Sequence, residues 1–313
     1  MLIYERDDMM VATVEAGRVR LDGGAMFGVV PRPLWERRIA PDERNRIPLA
    51  MRCLLIRHPE ATVLVDTGVG AKEDEKFREI YGVENEGEPT RLEDGLGAWG
   101  VEPEDVDLVV CTHLHFDHAG GATIRGADGE LRPSFPRARY VVRRGEWEFA
   151  HRDNERVRAS YFPRNMDPLE EAGVLETVEE DTEVVRGVHL ARTPGHTPHH
   201  QSVWIEAGDD VLFYPADLAP TQAHISLPWI MGYDVEPLVT LETKRTWLGR
   251  AGREGWVVIF EHDPEIAYGW ARPRDDRDGC ELVGARPEQG PPEEGGRGRE
   301  GVVPPGNGRP GPA

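Results

Sequence analysis

The chain reads as a mixed α/β protein, rich in strands, with one large folded region and a separate tail. Three features point there. Short aliphatic runs alternate with amphipathic stretches along residues 1–273, and sheets this apolar need helices as cover. The 313 residues are 39% hydrophobic and carry 35 glycines, an ordinary globular balance able to build a sizeable core. Residues 285–313, by contrast, hold eight glycines, seven prolines and no aromatic residue, too little apolar surface to offset chain entropy. The expected organisation is a folded domain over 1–273 and a disordered tail over 274–313.

Taken in order, residues 52–57 and 62–65 read as strands, the second ending at the turn Asp66-Thr67-Gly68-Val69-Gly70. Residues 72–81 and 91–99 have helical spacing, the latter weakened by Gly95 and Gly97. Residues 106–112 form a strongly apolar strand running into His113, and 138–142 form another, followed by a helix over 145–151. Strands are expected at 183–193, 201–206 and 210–215. An amphipathic helix follows over 236–252, with Leu238, Leu241, Trp247 and Leu248 on one face, then a last buried strand at 256–260.

Charge excludes several functions. The formal net charge of −20 disfavours nucleic acid and anionic membrane surfaces as partners. No run approaches the length of a membrane helix and no basic, apolar leader opens the chain, so a cytoplasmic protein is expected. Cys53, Cys111 and Cys280 are odd in number and widely spaced, which gives neither a disulfide framework nor a thiolate metal motif.

The chemistry concentrates in Thr112-His113-Leu114-His115-Phe116-Asp117-His118-Ala119-Gly120-Gly121. In extended chain, His113 and His115 share a face and can hold one metal ion. Asp117 and His118 then present an oxygen and a nitrogen to a second site. The small residues 119–121 let backbone pass close by. Imidazole and carboxylate donors suit zinc, with manganese, iron and cobalt as competitors. His196 in Thr193-Pro194-Gly195-His196, Asp217 after the strand 210–215 and His262 after the strand 256–260 each follow a strand, where loops over a rigid sheet hold functional groups. Together they complete a candidate two-metal site.

This ordered set, with the turn Asp66-Thr67-Gly68, resembles the metallo-β-lactamase superfamily over roughly residues 18–272. The resemblance implies a four-layer αββα sandwich with two divalent metal ions, zinc first among them, at one sheet edge. It implies that His113, His115 and His196 hold one ion, that Asp117, His118 and His262 hold the other, that Asp217 bridges them, and that Asp66 orients ligands from behind. Within the superfamily, the motif is most similar to N-acyl homoserine lactonases and related ester or organophosphate hydrolases. Exported β-lactamases usually have Cys or Ser at the position of Asp217. RNA-processing members need a basic surface, flavodiiron members a flavodoxin domain, and glyoxalase II enzymes a helical C-terminal region; none of these is visible here. One departure stands out: many lactonases have a Tyr three residues after the bridging Asp, where this chain has Pro220.

The implied activity is metal-assisted hydrolysis of a small ester or lactone, in which two cations share and acidify a water. Asp117 is expected to relay a proton to the leaving group, and His224 to replace the missing Tyr as a donor. Alternatives are a phosphotriester hydrolase of the same fold and a non-catalytic, metal-bound ligand-binding member. A homodimer is left open. Gly23–Gly28 resembles a hairpin overhanging the metals, with Met26 and Phe27 as candidate acyl-pocket residues. Trp229, Ile230, Met231 and Tyr233 are a candidate wall, and His199 and His200 extend the His196 loop without being expected to ligate.

Overall fold

The aliphatic runs of the first half pair into one sheet and those of the second half into another. The structure is a computed structural model that describes residues 1–6, 9–85, 91–274 and 278–287. In chain order its first strands are β1 (Leu2–Arg6), β2 (Met9–Asp22), β3 (Arg46–His58), β4 (Ala61–Val65) and β5 (Leu108–Val110). A small hairpin, β6 (Thr123–Arg125) and β7 (Leu131–Pro133), precedes β8 (Arg139–Arg143) and β9 (Leu175–Val178). Seven of these form a mixed sheet in the order β1-β2-β3-β4-β5-β8-β9, antiparallel as far as β4 and parallel beyond it.

The second sheet contains β10 (Thr182–Val185), β11 (Val188–Arg192), β12 (Gln201–Ala207), β13 (Asp210–Tyr214), β14 (Val257–Ile259), β15 (Ile266–Pro273) and β16 (Cys280–Pro287), in sequential order. Only β13 and β14 run parallel, and parallel neighbours need a long crossover. The helices are α1 (Gly23–Phe27), α2 (Arg32–Trp35), α3 (Glu75–Tyr81), α4 (Arg91–Gly97), α5 (Phe116–Ala119), α6 (Arg144–Ala150), α7 (Pro163–Glu171) and α8 (Pro237–Glu254). The last lies in the β13–β14 crossover.

Side chains alternate across a strand, so each aliphatic run is divided between two cores. Leu54, Ile56, Val63, Val65, Leu108 and Val110 meet Leu190, Val203, Ile205, Leu212, Val257 and Ile259 between the sheets. Their neighbours Cys53, Leu55, Leu64 and Val109 face the other way, toward Leu96, Phe116, Phe149 and Leu169 of the helical layer. Phe213, Val258 and Phe260 pack under Leu248 and Ala251 of α8. Three cores between four layers make the αββα sandwich. No helix among the described residues is long and apolar enough to cross a membrane.

Four sequence expectations change. The helix over 72–81 begins only at Glu75, because the Asp74 carboxylate caps it by accepting from the Phe77 amide at 2.8 Å. The segment 23–28 is no hairpin: Asp22 accepts from the Ala25 amide and starts α1. On α8 the buried face is Thr240, Lys244, Leu248 and Ala251, and Leu238 stands 77% exposed. Finally, residues 280–287 are not tail but the edge strand β16, antiparallel to β15. An edge strand exposes one face and carries a weak apolar signal, so Gly and Pro content dominated its reading. Residues 275–277 and 288–313 of the expected tail lie outside the described residues.

Candidate metal centre

All seven expected ligands converge at one end of the sandwich, just beyond β5, β11, β13 and β14. His113 and His115 lie in the extended segment after β5, and α5 then turns Asp117 and His118 inward. The turn is tight against neighbouring backbone: a Cβ on Gly120 would lie 2.3 Å from the Val69 carbonyl, and one on Gly121 would lie 2.2 Å from that of Thr67. Ala216 adopts a left-handed φ of 47°, a costly conformation for a residue with a Cβ, and it aims the adjacent Asp217.

Donor atoms of His113, His115 and His196 form one triad, and those of Asp117, His118 and His262 form a second. Asp217 spans them, with Oδ2 3.1 Å from His196 Nε2 and Oδ1 3.2 Å from His262 Nε2. Asp117 Oδ2 stands 4.0 Å from His118 Nε2 and 3.9 Å from His262 Nε2.

Outer hydrogen bonds fix which nitrogen faces inward for four of the five rings. His196 Nδ1 donates to Asp234 at 2.9 Å, His262 Nδ1 to the Ala50 carbonyl at 2.7 Å, and His118 Nδ1 to Asp66 at 3.1 Å. His113 Nδ1 donates to Thr112 Oγ1 at 3.1 Å, whose hydroxyl donates onward to Asp66 at 2.7 Å. A neutral imidazole that donates through Nδ1 presents a lone pair at Nε2. The His118 and His262 Nε2 atoms then face each other at 3.1 Å. Opposed lone pairs at that distance repel unless a proton or cation lies between them. Buried His113 Nε2 and Asp217 Oδ1 also lack hydrogen-bond partners among the described residues. The donor set therefore fits two divalent cations.

The titration pattern agrees. Burial, then the neighbouring imidazoles, holds His113 and His115 well below the usual histidine range, so both are neutral donors. Burial alone would lower His262, but Asp217 outweighs it and lifts the imidazole to about 9. Burial would likewise raise Asp217, but His196, His262 and His118 hold its carboxyl well below the usual range. Protons and cations compete for these same atoms.

Sequence reasoning missed three buried acids. Asp234 holds His196. Glu261 has an oxygen 3.1 Å from His118 Nδ1, beside Asp66. Glu146 accepts from the Leu114 amide, the Tyr161 hydroxyl and the Thr197 hydroxyl, tying three loops behind the centre. Tyr161 in turn packs edge-on against His115. These partners are far apart along the chain and have no local spacing signature.

Beside the centre lies a cleft of about 220 Å³ with an apolar wall that includes Leu21, Met26, Leu49, Phe116, Val157 and Met231. Tyr81, Tyr233, Ser160 and Arg156 add polar groups to its lining. Met26 and Met231 thus take the expected positions. Phe27 instead stacks on Trp35 and His224, and Trp229 packs edge-on against Phe27. Neither these two nor Ile230 lines the cleft.

His224 does not line it either. Its Nε2 donates to the Met26 carbonyl at 2.8 Å and its Nδ1 accepts from Thr221 at 2.7 Å, so no ring nitrogen remains for a substrate. Burial, then Lys244, pushes it down to about 3. The geometry corrects the expected donor role to a structural one. His200 is buried and hydrogen-bonded to Thr193 at 2.8 Å, and His199 is half-buried against Gly145; neither joins a ligand triad.

This sandwich, with His and Asp donors at one edge, is the architecture of a metallohydrolase. The chain belongs to the metallo-β-lactamase superfamily, whose family model matches residues 48–262. It is 31% identical over 266 residues to an N-acyl homoserine lactonase of a Bacillus species, covering 82% of this chain and 94% of that one. The crystal structure of a probable metal-dependent hydrolase from Staphylococcus aureus superposes with a TM-score of 0.80 at 28% identity, covering 90% and 99% of the two chains. An N-acyl homoserine lactone hydrolase structure with the product N-hexanoyl-L-homoserine at its catalytic metal centre matches with a TM-score of 0.61 at 26% identity, covering 81% and 93%.

Proposed function

We propose that this protein is a binuclear metal-dependent hydrolase of small esters or lactones. The observation that carries the reading is Asp217, whose carboxylate lies between the triads, 3.1 Å from His196 Nε2 through Oδ2 and 3.2 Å from His262 Nε2 through Oδ1. His113, His115 and His196 hold one ion, and Asp117, His118 and His262 hold the other. Zinc is the favoured metal because the donors are imidazoles and carboxylates. When bound, the ions lower the pKa of a water toward neutrality and polarise the substrate carbonyl.

The chain's own groups do the rest. The apolar wall takes an uncharged acyl group and keeps water from it. Asp117 lines the cleft, and in this reading its carboxylate takes a proton from the attacking water and passes it to the leaving oxygen. Asp66, Asp234 and the Ala50 carbonyl hold three imidazoles in fixed tautomers, so the donor set is ordered before substrate arrives. The lactonase relatives support a lactone as the substrate. Comparing kcat/KM of the metal-loaded protein on lactones, carboxylic esters and phosphotriesters tests this. Lactones or esters should be preferred; a preference for phosphotriesters overturns the carbonyl assignment.

A further inference from the structure

Pro220 brings no side-chain donor to the segment after Asp217, and both ring nitrogens of His224 are committed. The Pro220 carbonyl is itself committed, accepting the His262 amide at 3.0 Å. A carbonyl substrate still needs its departing alkoxide oxygen stabilised, because an aliphatic alkoxide is a poor leaving group. Three hydroxyl-bearing residues line the cleft: Tyr81, Tyr233 and Ser160.

We propose that Tyr81, at the C-terminal end of α3, is the catalytic hydroxyl of this enzyme and hydrogen-bonds the leaving oxygen of the substrate. The proposal rests on the ester or lactone reading above. Four observations carry it. Tyr81 lines the cleft together with Asp117, the proposed proton relay. Its ring is fixed from two sides, at 4.4 Å from Phe77 and 5.0 Å from Phe116, and Phe116 directly precedes Asp117. The left-handed Gly82, with φ 52°, ends α3 immediately after it. Its hydroxyl has no hydrogen bond to any other described residue, so its donor is available to a ligand. Tyr233 lines the same cleft but follows a loop glycine and lacks the aromatic contacts that fix Tyr81.

The step balances simply. The carbonyl carbon gains a bond to the oxygen of water and loses its bond to the alcohol oxygen. One proton of water passes through Asp117 to that alcohol oxygen, and Tyr81 donates a hydrogen bond throughout without giving up its own proton. Products are a carboxylic acid and an alcohol, or one hydroxy acid from a lactone.

The test is Tyr81→Phe, which keeps the ring contacts and removes only the hydroxyl. Metal content and melting temperature, measured first, should match wild type. On an aliphatic γ-lactone, kcat should fall about 10²-fold, the usual loss for one such donor. On the para-nitrophenyl ester of a matching acid, whose phenolate leaves without help, the loss should be under about threefold. Inhibition by the ring-opened γ-hydroxy acid should weaken several-fold in the variant, while inhibition by the parent acid lacking the hydroxyl stays unchanged. That difference separates contact with substrate from mere positioning of Asp117. Equal losses on both substrates, equal inhibition constants, or transfer of the whole effect to Tyr233→Phe would each overturn the proposal. A wild-type protein that hydrolyses neither substrate overturns the functional reading instead.

Discussion

Replacing Asp234 with Asn probes how the centre is held without touching a ligand. Asp234 sits 38 residues beyond His196 and accepts from its Nδ1 at 2.9 Å, with both side chains buried. A hydrogen bond to a charged, buried acceptor contributes about 1.5–3 kcal/mol. Asn keeps an acceptor oxygen but loses the charge, and its amide can turn an N–H toward Nδ1, which selects the His196 tautomer that aims a proton, rather than a lone pair, at the other donors. Outer partners of this kind typically carry 10–100-fold in metal affinity, about 1.4–2.7 kcal/mol, which matches the bond estimate. Asp234→Asn should therefore weaken one ion by about 10–100-fold. The other should be unaffected, because His118 and His262 rest on Asp66 and Ala50 instead. Competition against a chromogenic chelator, run to full removal, resolves the two affinities. Wild-type affinity for both ions, or equal weakening of both, refutes the reasoning.

Other consequences follow from the same structure. Removing residues 288–313 should leave melting temperature and metal content unchanged, whereas removal from residue 280 onward strips β16 from β15 and should lower the melting temperature; calorimetry of both truncations decides. His224→Ala orphans the Met26 carbonyl and the Thr221 hydroxyl and unstacks Phe27, so it should cost about 2 kcal/mol or more, a drop of about 4–8 °C. The same variant should leave the ratio of lactone to aryl-ester turnover unaltered, and a selective loss on lactones would return His224 to the mechanism. Lys244 is buried on α8 and donates to the Ser226 and Trp229 carbonyls; burial pushes it from 10.5 down to about 7. Its folded pKa lies below its unfolded one, so the unfolded chain binds more protons between those values. Its contribution is complete above 10.5 and is lost as pH falls through about 7. Stability should rise with pH across that window, and Lys244→Met should flatten the rise in denaturant midpoints.

What could be read from the sequence was local. His113, His115, Asp117 and His118 lie within six consecutive residues after an apolar strand, and both their identity and the strand are visible without a structure. His196, Asp217 and His262 were found because each follows an aliphatic run. Long-range partners left no such trace. Asp234 meets His196 across 38 positions and Glu146 meets Thr197 across 51, and nothing in spacing distinguishes them from the many other acids. Exposure is also hard to read where a pattern is ambiguous. Leu238 fits an apolar helical face yet points to solvent, since the buried face of α8 is Thr240, Lys244, Leu248 and Ala251. That Tyr81 of α3 lines the cleft is likewise invisible in the sequence, because α3 and Phe116 are brought together by ring packing across more than 30 positions.

Elemental analysis of the purified, fully metal-loaded protein bears most directly on the binuclear centre. Seven buried donors arranged in two triads around Asp217 should hold close to two divalent ions per chain, and His118→Ala, whose imidazole belongs to the Asp117 and His262 triad, should retain close to one. A wild-type content near zero, or a His118→Ala variant that still holds two, would contradict the assignment.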